Sequence, residues 1–396
     1  MTYASITERL AGLGSGKWEV HFRARKMKAE GREVIELTIG EPDIPTDPAL
    51  LDVCAAAMRA GRTRYSTGRG EPALLAALAA KYSRRSGRKI GTDQVLSFPG
   101  TQSALYAVMT GLVEAGDAVL IPDPYYATYE GVVRATGAAI VPVPTRAEKG
   151  FHLQAADLEA AITPETKALL LNTPHNPTGA VLTAAEIAEI GAVCRKHGLW
   201  IVADEVYEEL ILSGTFASPF DMADLAERTI VVSSISKSHA APGFRSGWAI
   251  GPAEFCERLL PVSEMMLFGG QPFIADMAAH ALTHDIPTAA LLRDAYRRRA
   301  RIVSDAVAPC PALKALPPEA GMFILIDVSG SGLSGDSFAR GLLEAEAVAV
   351  MPGTSFGAEA ADFIRLSLTV PDEALAEACH RITRFATAQT RKEVAE

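Results

Sequence analysis

Between about residue 93 and residue 251, short apolar runs rich in β-branched residues alternate with segments whose apolar positions recur at helical spacing. Val95-Leu-Ser-Phe98 reads as a strand, and Thr101–Glu114 as a helix. Ala118-Val-Leu-Ile121 is a second strand, followed by a helix near 129–135 and a further extended run, Ile140-Val-Pro-Val143. Lys167–Leu171, Leu199–Val202 and Thr229–Ser233 are further strands; between the first two lies a helix over Thr183–His197, with Gly198 as its stop. This alternation predicts a largely parallel α/β sheet. Ligands of such sheets bind beyond the carboxyl ends of the strands.

The last third has a different rhythm. A long Arg-rich helix is predicted over Pro287–Ala308, with the proline in its first turn. A strand follows over Met322–Val328, then a helix over Ser337–Glu346, a strand over Phe363–Ser367 and a closing helix over Asp372–Thr387. These make a smaller α/β unit. At 396 residues the chain exceeds one compact core. The expected division is residues 46–282 as the large domain, with residues 1–45 joining residues 283–396 in the small one.

Composition adds mainly exclusions. Hydrophobic residues make up 48% and charged residues 21%, ordinary for a soluble enzyme. A formal charge of −9 argues against nucleic acid as a partner. The basic runs Arg297-Arg-Arg299 with Arg301, and Arg84-Arg85, read as solvated helix faces. No run of about 18 apolar residues is present, so no membrane span is expected. The start, Met1-Thr-Tyr-Ala-Ser5, has no charged and apolar leader pattern. Five widely spaced cysteines, with no C-x-x-C, suggest reduced thiols in a cytoplasmic protein. Eight histidines without an H-E-x-x-H pattern give no metal site.

The chemistry lies just after the strands. Ser234-Ile-Ser-Lys237 follows the run Thr229–Val232, and Arg245 comes eight positions later. A lysine at the mouth of a buried strand loses charge by desolvation, and its free amine can form a Schiff base. A strand-end lysine is more often a solvated cap, so its company decides. That company is Gly100-Thr101-Gln102 after Phe98, Asn172-Thr-Pro-His-Asn176-Pro-Thr-Gly179 after Leu171, and Asp204-Glu-Val-Tyr207 after Val202. Each has a bland reading as a helix start, a turn or an N-cap. All fall on one edge of one predicted sheet. Gly100-Thr101-Gln102 offers amides and a helix dipole to a phosphate. Asp204 suits a pyridine nitrogen, and Tyr207 and Asn176 suit a phenolic oxygen. Tyr126 could stack on a flat ring, although an aromatic there is more often core.

Together with Leu37-Thr-Ile-Gly40-Glu-Pro-Asp43, Tyr65, Tyr125-Tyr126 and Arg365, these markers stand in one order along nearly the whole chain. The chain thereby resembles the class I aminotransferases of pyridoxal 5′-phosphate (PLP) fold type I, an α/β fold with a large and a small domain. The resemblance implies that Lys237 is the Schiff-base lysine and proton shuttle. It implies that Asp204 meets the pyridinium nitrogen, Tyr207 and Asn176 the ring oxygen, and Tyr126 the ring face. Thr101, Gln102, Ser234 and Arg245 would hold the phosphate. Tyr65 would reach the phosphate of a neighbouring subunit, which makes a homodimer. Arg365 would clamp the substrate α-carboxylate, with the Gly40 backbone closing over it. On the alternation of Phe363–Leu368 alone, Arg365 could equally be the solvent side of an amphipathic strand.

The expected reaction is ping-pong transfer of an amino group between an L-amino acid and a 2-oxo acid. A PLP lyase of the carbon–sulfur type would use the same residues, and a non-catalytic PLP-binding sensor is a third reading. Among aminotransferases the pattern looks most like arginine–pyruvate transaminases, and it is similar to broad aspartate-type enzymes. Glu41 or Asp43 could meet a cationic side chain or be solvated loop acids. Gly330-Ser-Gly332-Leu-Ser-Gly335 matches G-x-G-x-x-G. It lacks the acidic residue about 20 positions on that dinucleotide binding needs, and reads as a flexible connection.

Overall fold

The computed structural model describes residues 2–13 and 16–393; Met1, part of the start read above for a leader, lies outside them. Among the described residues, thirteen strands form three sheets. They are β1 (Ile35–Glu36), β2 (Val95–Phe98), β3 (Ala118–Asp123), β4 (Ala139–Pro144), β5 (Thr166–Asn172), β6 (Trp200–Asp204), β7 (Thr229–Ser234), β8 (Gly247–Ile250), β9 (Lys314–Leu316), β10 (Phe323–Asp327), β11 (Val348–Ala349), β12 (Met351–Pro352) and β13 (Phe363–Ser367).

The large sheet has the order β2-β8-β7-β6-β5-β3-β4. Its strands run parallel except β8, which is antiparallel to both β2 and β7. Central strands covered on both faces need continuous apolar runs, and β3 and β7 are buried along their whole length. The crossover helix after β5 starts at a reciprocal cap. Thr183 Oγ1 accepts from the Glu186 amide at 3.2 Å, and Glu186 Oε2 accepts from the Thr183 amide at 2.8 Å. Gly198, at φ +68°, ends it.

The smaller antiparallel sheet, β12-β13-β10-β9, lies beside the β1–β11 pair. Residues from the N-terminal segment (Val20, Ala24, Met27, Leu37) share one core with Tyr296, Val303, Phe338, Ile364 and Ile382. No described helix is long and apolar enough to cross a membrane.

The reading of the arginine runs as solvated faces needs correction at two positions. Arg299 is only 6% exposed. It falls on the same stripe as Leu292, Tyr296, Val303 and Val307 of the helix Thr288–Val307. It is tolerated there because every arm of its fork has an acceptor. It donates to Asp43 (2.7 and 3.0 Å), Asp372 (2.9 Å) and the Leu368 carbonyl (2.9 Å). This contact also ties Asp43 down. Arg85 turns inward over the Tyr82 ring and donates to Glu205 (2.7 Å), Glu208 (2.6 Å) and Asp221 (3.1 Å). Arg84, Arg298 and Arg301 are exposed. The Gly330–Gly335 stretch is a short turn that leads into the Ser334-capped helix Gly335–Glu346.

Candidate active site

A cavity of about 450 Å³ opens at the carboxyl ends of β3, β5, β6 and β7. Gly40, Thr101, Gln102, Tyr126, Asn176, Asp204, Tyr207, Ser234, Lys237, Arg245 and Arg365 all line it. Tyr65 does not; it is 87% exposed on the outer surface, edge-on to Phe268 at 5.1 Å.

Lys237 follows β7, and its Nζ donates to the Gly40 carbonyl at 2.6 Å. Burial lowers its pKa to about 8, with Arg365 and Arg245 pushing the same way against Glu41 and Asp204. An uncharged amine is thus available near neutral pH. Gly40 can be nothing larger, since a Cβ there would lie 2.2 Å from the Phe323 ring.

Asp204 closes β6 and is 4% exposed. Its Oδ1 accepts from the Val206 amide at 3.2 Å and its Oδ2 from the Tyr129 hydroxyl at 2.8 Å. Burial raises its pKa to about 6, opposed by these two hydrogen bonds and by Lys237. Asn176 Nδ2 lies 3.5 Å from the Tyr207 hydroxyl, whose pKa burial pushes well above the usual phenol range.

The corner at the start of the helix Thr101–Leu112 brings together backbone, hydroxyls and the Arg245 guanidinium. Gly100 sits at φ +84° ahead of the helix Thr101–Leu112, and a Cβ on it would strike the Arg245 guanidinium. The helix start therefore presents open amides directly beneath an arginine. Thr101 Oγ1 is buried with no hydrogen-bond partner. Such an orphan is costly unless a ligand satisfies it. The Ser234 hydroxyl accepts from the Ser236 amide at 3.3 Å, and the Gln102 amide oxygen from Thr128 at 3.0 Å.

Arg365 lies in β13, and the solvent-face alternative for it does not hold. The whole strand is buried, and Arg365 is 2% exposed. Its guanidinium sits between the rings of Phe323 and Phe356, at 3.9 and 4.5 Å. Nη1 donates to Asn176 Oδ1 at 3.1 Å and Nη2 to the Thr38 carbonyl at 2.6 Å, while Nε has no partner. Burial lowers its pKa to about 10. A buried cation with a free donor and no carboxylate partner is suited to an incoming anion.

Three contributors escaped the sequence reading. Thr38 lies inside the Leu37–Asp43 marker but was given no role; it offers Arg365 its carbonyl, which no side-chain pattern reveals. Phe323 follows Gly321 at the start of β10 and looks like any core aromatic. Tyr129 had a visible signal: it is the third tyrosine in Tyr125-Tyr-Ala-Thr-Tyr129, at a helix start on the site edge of the sheet.

A cavity that sets a lysine of lowered pKa and an aspartate beside two arginines suits an enzyme that reacts through an amine and binds anionic groups. The family model for aminotransferase class I and II matches residues 32–382. Arginine–pyruvate transaminase AruH of Pseudomonas aeruginosa is 42% identical over 96% of this chain and 97% of its own length. An aspartate aminotransferase of Geobacillus stearothermophilus is 32% identical over 97% of this chain and 99% of its own. The solved aspartate aminotransferase of Rhizobium meliloti superposes with a TM-score of 0.93 at 30% identity, covering 98% of this chain and 99% of that one. The chain belongs to the class I and II aminotransferases: it is a transaminase that moves an amino group between an amino acid and a 2-oxo acid. Of the three activities weighed from the sequence, transamination is the one these likenesses carry.

Proposed function

We propose that the cavity holds PLP and that Lys237 is the residue that joins it covalently and moves the proton. The observation that carries this reading is the Lys237 amine, brought towards neutrality by burial among Arg365 and Arg245 and facing Asp204. The residues present suit the group: the orphaned Thr101 hydroxyl, the open helix start at Gly100 and the Arg245 guanidinium fit a phosphate, and Asp204 fits a ring nitrogen. When bound, the cofactor supplies an aldehyde to take up the amino group and a ring that accepts a carbanion's electron pair.

The remaining steps fall to this chain's own groups. Arg365 grips the substrate α-carboxylate, and the two phenylalanines keep water from its faces. That fixes Cα near Lys237, whose neutral amine takes the Cα proton as a general base. Asp204 as a carboxylate would hold a proton on the ring nitrogen. Tyr207 and Asn176 would donate to the ring oxygen, Tyr126 would cover a ring face, and Thr101, Gln102, Ser234 and Arg245 would anchor the phosphate. The Gly40 carbonyl, which here accepts from the Lys237 amine, would give it up when the cofactor binds. Initial rates with donor varied at several fixed acceptor concentrations should give parallel double-reciprocal lines, the sign of two half-reactions in one site. Intersecting lines would overturn the scheme. Arginine and aspartate, each with pyruvate and 2-oxoglutarate, are the first pairs to screen.

The working unit in this proposal is a homodimer in a reducing, cytoplasmic setting. Tyr65, Met265 and Phe268 are exposed together on the surface, an apolar patch of the kind that a partner covers. The five cysteines are unpaired and buried. Sedimentation should give about twice the 42.0 kDa chain mass. Tyr65→Phe should loosen cofactor retention without dissociating the dimer. A fully active monomer would remove Tyr65 from the site.

A further inference from the structure

We propose that Tyr129 is a positioning residue for this transaminase: its phenol holds Asp204 as a carboxylate turned into the cavity. The inference rests on the reading above in which Asp204 meets the cofactor ring nitrogen. That pairing needs an anionic Asp204, and its surroundings work against one. The side chain is nearly sealed from water. Neither Arg365 nor Arg245 donates to it, although both line the same cavity.

Two donors offset the desolvation. The Val206 amide reaches Oδ1 at 3.2 Å, and the Tyr129 hydroxyl reaches Oδ2 at 2.8 Å. Both oxygens accept from donors, the pattern of a carboxylate rather than of a carboxylic acid. The phenol contact is the shorter of the two, and only a side chain can be changed to test it.

The charged and titratable groups around Asp204 come from several elements. Tyr126 lies in the loop after β3, Tyr207 after β6, Lys237 after β7, Arg245 before β8 and Arg365 in β13. Of the cations, only Lys237 acts on Asp204 appreciably. Its help is conditional, because the amine must be neutral to accept the Cα proton. Tyr129 carries no such condition. Burial and the Asp204 charge push its own ionisation well above the usual phenol range, so it remains a donor throughout the working pH range. Its ring is 1% exposed and meets Tyr126 edge-on at 5.6 Å, which fixes the direction of the hydroxyl. Tyr129 and Asp204 lie 75 residues apart in sequence, so the contact joins the start of the helix Tyr129–Thr136 to the end of β6.

The test uses Tyr129→Phe, which keeps the ring and removes only the donor. PLP binding to the cofactor-free protein is followed across pH by equilibrium dialysis, beside the pH profile of kcat/KM for the loaded enzyme. Loss of one hydrogen bond to the charged form should move the acid limb of both curves up by about one pH unit. Most of the deficit should vanish towards pH 9. 3-Fluorotyrosine at position 129, a stronger donor of almost the same shape, should move the acid limb down; this second variant serves also if Tyr129→Phe folds poorly. Equal loss at every pH, or limbs that do not move in either variant, overturns the inference. Asp204→Asn separates the two levels. If it is nearly as active as wild type, the ring-nitrogen reading itself fails. If it is crippled while the Tyr129 variants leave both curves in place, only the role of Tyr129 fails.

Discussion

Lys237→Ala should end turnover while the protein still takes up PLP. The amine at the end of β7 is asked to do two things, to join the cofactor and to carry the Cα proton. General acid–base catalysis alone is worth up to about 10⁴-fold, and here the same atom is also the nucleophile, so the loss should reach at least that order. Uptake should survive because the phosphate corner is built from other residues: the Gly100–Thr101 helix start, Ser234 and Arg245. Lys237 is also a poor candidate for a structural role. The hydrogen bond of its amine goes to the Gly40 carbonyl, and burial already works against its charge. The variant should therefore unfold at about the wild-type temperature. Loss of PLP uptake together with activity would mean that Lys237 shapes the cavity and does not carry the chemistry.

Arg365→Lys should impair every amino-acid donor and every oxo-acid acceptor alike, since both half-reactions use one pocket. An ammonium cannot copy the planar fork that presents two parallel donors to a carboxylate. It would also strand Asn176 Oδ1 and the Thr38 carbonyl, which the fork now satisfies at 3.1 and 2.6 Å. The cation–π contacts with Phe323 and Phe356 would be weakened too. The expected cost in kcat/KM is about 2–4 kcal/mol, the range for breaking a desolvated, hydrogen-bonded charge pair. PLP content should stay normal, because the phosphate is assigned to Arg245. Amines without a carboxylate should be poor donors for the wild type and little affected by the change. Intact amino-acid turnover in Arg365→Lys would return that arginine to a structural part in β13.

How far the sequence spoke depended on the range of the interaction. The interior strands β3, β5, β6 and β7 and the edge strand β2 are mostly apolar runs, and the predicted spans agree with the observed ones to within a few residues. The short strand β8 left no trace: it has four residues, opens on a glycine and follows a tight turn at Pro242–Phe244. Gly247 is required there, because a Cβ would meet the Gly100 backbone at 2.6 Å. The helix Pro48–Arg59 was not predicted and Pro72–Ser86 was anticipated only around Arg84-Arg85, although each begins with a proline in its first turn, a signal that could have found their starts. The strand-end polar residues converge on one cavity because the parallel sheet puts every such end on the same edge. What sequence could not carry was long-range pairing. Arg299 looked like one arginine in a solvated run, yet its partner Asp43 lies 256 positions away. Arg365 alternated with apolar neighbours as a surface residue would, and only the Phe323 and Phe356 rings that enclose it reveal the burial.

The central claim is that one lysine, Lys237, forms the Schiff base, and borohydride trapping tests it most directly. Wild-type protein loaded with PLP is reduced with borohydride, digested, and its peptides are mapped by mass spectrometry. The account predicts loss of the Schiff-base absorption band and a single phosphopyridoxyl adduct on Lys237. An adduct on Lys81 or Lys167 instead, with Lys237 unmodified, would contradict it.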